Sequence, residues 1–151
     1  MLNLGAAEFA AISTIVFLII GISLLPLIFF CLTLQKCLKR CSPHNRMMSP
    51  GEVWLLLIPL FNLVWQFVVV LRISSTLSKE FHVRNMQREP EPGKSIGLAF
   101  CILYVCSLIP FLGIFTSLAG FICWIIYWVK IAGYSAEISV PVASSDEKIV
   151  I

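Results

Sequence analysis

Charge is what this chain has least of. Only 13% of its 151 residues are Asp, Glu, Lys or Arg, against about 25% in a soluble domain, and residues 9–34, 53–71 and 95–129 contain none. With 59% hydrophobic residues and a mean hydropathy of +0.95, the composition excludes a soluble domain and implies a polytopic membrane protein. Histidine is scarce as well: His44 and His82 both fall between apolar runs. No Gly-x-Ser-x-Gly elbow, His-Glu-x-x-His pair or glycine-rich phosphate loop occurs. No enzyme activity, cofactor or metal is therefore expected. The first eight residues lack Lys and Arg, and the apolar stretch after them is too long for a secretory leader, so the first segment is expected to stay in the mature chain. A net charge of +3, spread in short clusters, does not suggest nucleic acid as a partner.

What is present is apolar length. A hydrocarbon core of about 30 Å takes roughly 20 helical residues to cross. Residues 9–34 make one generous span, loosened around Gly21, Ser23 and Pro26. Residues 95–129 are too long for one helix, and Pro110, Phe111, Leu112 and Gly113 at their middle predict a turn between two short spans. The fold class is an all-α membrane bundle of four hydrophobic segments, with helices at about 9–34, 53–71, 95–109 and 113–131, and a membrane domain over 1–134 followed by a flexible tail, 135–151. Segment 53–71 is ambiguous. It is long enough for a plain span, the reading preferred on length, but Pro59, Asn62 and Gln66 sit inside it. A re-entrant path would enter over 53–58, break at 59–62 and leave over 63–71.

The basic residues bear on that choice. Lys36, Lys39, Arg40 and Arg46 lie before segment 53–71; Arg72, Lys79, Arg84, Arg88 and Lys94 lie after it; the 110–113 turn has none; Lys130 and Lys148 follow the last run. Four spans divide these charges between both sides, a weak positive-inside bias, whereas a re-entrant segment leaves all 11 on one side. An internal echo also appears: Leu57-Ile58-Pro59 recurs as Leu108-Ile109-Pro110, and the apolar stretches that follow end in Arg72-Ile73-Ser74-Ser75 and Lys130-Ile131-Ala132-Gly133. Chance and duplication both account for it.

Between the second and third runs, Ile73, Leu77 and Phe81 recur every four residues, while Arg72, Lys79, Arg84 and Arg88 fall elsewhere on the helix. An amphipathic basic helix over 72–88 is expected, extending the second span or lying on anionic lipid headgroups, with a disordered linker as the third reading. Glu89-Pro90-Glu91-Pro92-Gly93 ends it. Cys37, Cys41 and His44, with Cys31 before them, lack the second ligand pair of a zinc site and read as juxtamembrane cysteines or, in a eukaryote, acylation sites. The other cysteines lie in apolar runs and behave as small hydrophobes.

Inside the runs the polar groups are neutral. Asn62 and Gln66, four apart, share a helix face suited to interhelical hydrogen bonds or to lining a polar crevice; Thr116 and Gly120 have small-x-x-x-small spacing; Trp124, Tyr127 and Trp128 suit an interfacial aromatic belt. The stretch Met48-Ser49-Pro50, Trp54, Ile58-Pro59, Phe61-Asn62 and Trp65, with Ser75, Leu77 and Glu80 behind it, resembles the middle of small uncharacterised bacterial multi-span membrane proteins. That resemblance implies a bacterial inner (cytoplasmic) membrane and no activity. The functional expectation is a non-enzymatic interaction or scaffold subunit, packing through Asn62, Gln66, Thr116 and Gly120 against itself or another membrane protein. The alternative is an oligomeric channel or facilitator lined by Asn62, Gln66 and the serines.

Overall fold

The computed structural model describes residues 5–139, apart from the side chains of Ile20 and Ser23; the tail beyond lies outside the described residues. Four helices and one short 3-10 helix make up the chain, with no strand among the described residues. Helix α1, Ala6–Arg40, is 35 residues and so about 50 Å long. Glu8 accepts a hydrogen bond from the Gly5 N–H at its start, and Lys39 and Arg40 oppose the dipole at its end. Pro26 lies inside α1 without interrupting it.

After a loop, the 3-10 helix Glu52–Leu57 leads to an extended residue, Ile58, and then to α2, Pro59–Val83. A residue before proline is driven out of the helical region, and proline itself suits the first helical position. Ile58-Pro59 therefore ends one helix and starts the next. The helix expected over 53–71 is thus divided at Pro59, and its longer part continues to Val83. The chain from 42 to 57 runs antiparallel along α2: Ser42 and Asn45 bond Glu80, the Met47 N–H bonds Thr76, and the Glu52 carbonyl accepts from Trp65. Loop 41–51 and the C-terminal end of α2 consequently lie at the same end of the molecule.

Helix α2 also continues without a break through most of the basic stretch expected at 72–88. It stops at Arg84, where Asn85 takes the left-handed conformation (φ 53°) and the Met86 N–H returns to the Phe81 carbonyl. Asn is among the few non-glycine residues that adopt this geometry readily. Helix α3, Lys94–Cys106, and α4, Gly113–Ile138, form the expected hairpin about Pro110. Gly93 enters α3 at φ 73°. Gly97 is required by space: a Cβ there would meet Val70 at 2.6 Å and Tyr127 at 2.9 Å.

The sequence echo has a geometric counterpart. Each Leu-Ile-Pro motif marks the tip of a hairpin whose second arm returns to the basic end. In each, an acid ahead of the first arm meets the base that ends the second arm's apolar stretch: Glu52 with Arg72 at 3.1 Å, and Glu89 with Lys130 at 2.7 Å. Ile73 and Ile131, next to those bases, are both fully buried.

The core sits toward the basic end. Leu34 and Leu38 of α1, Ile73 and Leu77 of α2, Cys101 of α3 and Ile131 of α4 are completely buried. The described large apolar side chains of α1 between Phe9 and Leu25, and those around the 110 turn, are exposed. Three helices, α1, α2 and α4, are long and apolar enough to cross a membrane; α3 is shorter.

Candidate functional site

Two arrangements of side chains stand out, one at each end of the bundle. At the basic end the C-termini of α1 and α4 converge, and their last carbonyls need donors. Arginines from elsewhere in the chain provide them. Arg46 donates to the carbonyls of Lys39 and Cys41, closing α1. Arg40 donates to the Ser135 carbonyl and hydroxyl, and Arg84 to the Ile138 carbonyl, closing α4. At the centre Glu80, 1% exposed, accepts from the Ser42 N–H and hydroxyl, the Asn45 amide and Arg84 at 2.8–3.2 Å. A buried carboxylate is tolerable only with such a set of donors. Glu80 thereby ties the loop after α1 to α2.

The basic stretch takes a different role from the surface-lying one. Ile73, Leu77 and Phe81 are turned into the core, so they have no apolar stripe to offer a lipid surface. Arg72 pairs with Glu52, Arg84 with Glu80 and Arg88 with Glu137, and the Lys79 ammonium lies 3.1 Å from the Met47 sulfur. The extension of the second apolar helix is the arrangement found. Helix α4 likewise runs on to Ile138, with Ser135 and Ile138 buried, so the start of the expected tail is helical and packed.

Cys37 and Cys41 are buried, and His44 is exposed. A hydrogen bond from Cys37 lowers the Cys41 thiol pKa, against the opposing effect of desolvation. Among the described residues no three metal-capable side chains gather. Burial of both thiols also withdraws them from acylation in this fold. In the intervening loop, Lys130 donates to both oxygens of Glu89 and holds that carboxyl below its ordinary pKa.

The second arrangement is a cavity of about 400 Å³ in the apolar half, bounded by all four helices and by Leu56 of the 3-10 helix. Asn62 and Gln66 face it from α2, with Ser107 from α3 and Ser117 and Gly120 from α4. Three of the four packing candidates, Asn62, Gln66 and Gly120, are thus brought to one place. Thr116 is not among the lining residues, and its hydroxyl bonds the Leu112 carbonyl of its own helix. The close approach permitted by Gly120 is used within the chain, since a Cβ there would lie 3.3 Å from Leu103 of α3. Trp124 and Trp128 form no outward belt either: both pack on Phe30, Trp128 donates to Thr33 at 2.8 Å, and Tyr127 is buried.

Gln66 is 4% exposed, and its Nε2 has no hydrogen-bond partner. Glu80 and Asn45 were not singled out from sequence as a joined pair. The available signal was a lone Glu on the apolar side of an amphipathic helix, one residue from Phe81. Neither a family model, nor a characterised protein, nor a solved structure matches the chain. The resemblance over Met48 to Phe81 therefore rests on those residues alone.

Proposed function

We propose that the chain is a non-enzymatic integral membrane interaction subunit. Its basic end forms a rigid platform on one side of the bilayer, and its apolar helices associate with a second copy or another membrane protein. The observation that carries this reading is how the ionisable groups of the platform are spent. Glu80, Arg40, Arg46 and Arg84 all hold loops and helix ends in place. A group saturated by structural bonds is a poor acid, base or nucleophile. In this arrangement α1 crosses the membrane, while the hairpins tipped by Pro59 and Pro110 both enter from the platform side, which gathers the basic loops into one compartment as positive-inside sorting favours. Phe111, 98% exposed at the second tip, suits a lipid environment. The surface for association is the exposed apolar side chains of α1 between Phe9 and Leu25, among them Phe9, Phe17 and Ile22.

Cysteine cross-linking tests the reading in native membranes, in a background lacking the native cysteines. Phe17→Cys should yield a discrete adduct on oxidation, and native mass spectrometry from nanodiscs should give a matching assembly. A strictly monomeric protein with no adduct at any position from Phe9 to Leu25 overturns it.

The channel alternative draws support from one fact: Asn62, Gln66, Ser107 and Ser117 do line a common cavity. Toward the basic end, however, that cavity meets Phe30, tilted against Tyr127, and Phe100, stacked on it. Solute flux into liposomes that disappears in an Asn62→Leu, Gln66→Leu variant would favour the channel over the scaffold.

A further inference from the structure

The cavity beneath the hairpin tips has the attributes of a ligand site rather than of a packing defect. Its volume, about 400 Å³, falls within the roughly 300–1,000 Å³ typical of small-molecule sites. Its walls are apolar and largely aromatic: Phe30, Phe100, Tyr104, Phe121 and Trp124 contribute flat faces. Among the described residues, no Asp, Glu, Lys, Arg or His lines it. A charged ligand would find no counter-charge in these surroundings and would forfeit its hydration.

The polar groups narrow the chemistry further. The Ser107 hydroxyl donates to the Tyr104 carbonyl at 2.6 Å and the Ser117 hydroxyl to the Ile114 carbonyl at 3.0 Å, so both are occupied within their own helices. Gln66 differs. The residue is 4% exposed, and its Nε2 is buried with no hydrogen-bond partner. An amide nitrogen offers two donors, and burying it without a partner is unfavourable. Asn62, one turn earlier on the same face, likewise has no side-chain partner. Two free amides at one wall of an uncharged aromatic cavity call for a neutral polar group on a hydrophobic body.

We propose that this cavity binds an uncharged lipophilic molecule carrying a carbonyl group, an acyl ester or a ring ketone, whose oxygen accepts a hydrogen bond from the Gln66 amide. Such a molecule would reach the site from the bilayer past Tyr104 and Phe121, which line the cavity and are 39% and 55% exposed. This goes beyond the association proposed above and holds whether or not a protein partner exists.

Photolabelling of the full chain in phosphatidylcholine nanodiscs tests it. Two probes are compared, a diacylglycerol with a diazirine in one acyl chain and an azido-quinone with an isoprenoid tail, and labelled peptides are mapped by mass spectrometry. The expected result is saturable labelling by one of the two on peptides containing Phe30 or Phe121 to Trp124, with the reactive probe telling an ester from a ring ketone. Unlabelled carbonyl compound should compete, and hexadecane should not. Gln66→Leu should reduce labelling at least tenfold without lowering the unfolding midpoint, since it removes an unpartnered amide, and Ser117→Phe should reduce it by filling the cavity. Non-saturable labelling, equal competition by hexadecane, or labelling unchanged in Gln66→Leu means that bulk lipid or water fills the space, and overturns the proposal.

Discussion

Replacing Glu80 is the sharpest test of how the basic end is held. In the parent, one carboxylate with a side chain 1% exposed accepts four hydrogen bonds, two from Ser42, one from Asn45 and one from Arg84. Asn45 is itself buried, and the Arg84 side chain is only 19% exposed, so in Glu80→Ala neither finds full replacement in water. Hydrogen bonds to a charged group contribute about 1.5–3 kcal/mol each, but they share one acceptor and are not additive. Breaking a buried pair by removing one partner typically costs about 3–5 kcal/mol, the loss expected here. Glu80→Gln keeps the shape and one acceptor but loses the charge, and should cost about 1–2 kcal/mol. Unfolding in mixed detergent micelles followed by circular dichroism gives the magnitude, and exchange of the Ser42 amide proton reports whether the loop has been released. A Glu80→Ala protein within 0.5 kcal/mol of the parent, with Ser42 still protected, would refute the argument.

Glycine substitutions should separate by space. Gly97→Ala, whose Cβ would meet Val70 at 2.6 Å, should lose about 1–3 kcal/mol, whereas Gly133→Ala, with nothing within 4 Å, should be neutral or gain up to about 1 kcal/mol; equal effects in the same unfolding assay would contradict the packing. The Lys130 hydrogen bonds that lower the folded-state pKa of Glu89 make its ion pair fully stabilising above the unfolded value of about 4.3 and progressively lost as pH falls through the folded value. The stability difference between parent and Glu89→Gln should accordingly be flat from about pH 6 to 8 and shrink below about pH 4; a difference that grows toward acid contradicts it. Ser49→Cys and Gln87→Cys should react with an impermeant thiol reagent from the same side of the membrane, because their segments meet at one end of the bundle, whereas labelling from opposite sides would restore a plain second span.

Much of the secondary structure was legible because its causes are local. Long apolar runs favour helices because hydrocarbon offers backbone groups no other partner, Pro110 with Gly113 makes a turn, and Ile58-Pro59 breaks a helix through its own dihedral limits. The common face of Asn62 and Gln66 follows from 3.6 residues per turn. Contacts between distant segments were beyond that reach. An apolar stripe at Ile73, Leu77 and Phe81 announces that something must cover it, but a membrane surface and a neighbouring helix satisfy the same periodicity; here the cover is the protein's own core. The small residue Gly120 permits close approach without naming the approaching helix, which is α3 of the same chain. Where loop 41–51 is held was likewise out of reach: it is fixed by a carboxylate 35 to 38 positions away in sequence, whose burial is favourable only once Ser42, Asn45 and Arg84 have converged on it.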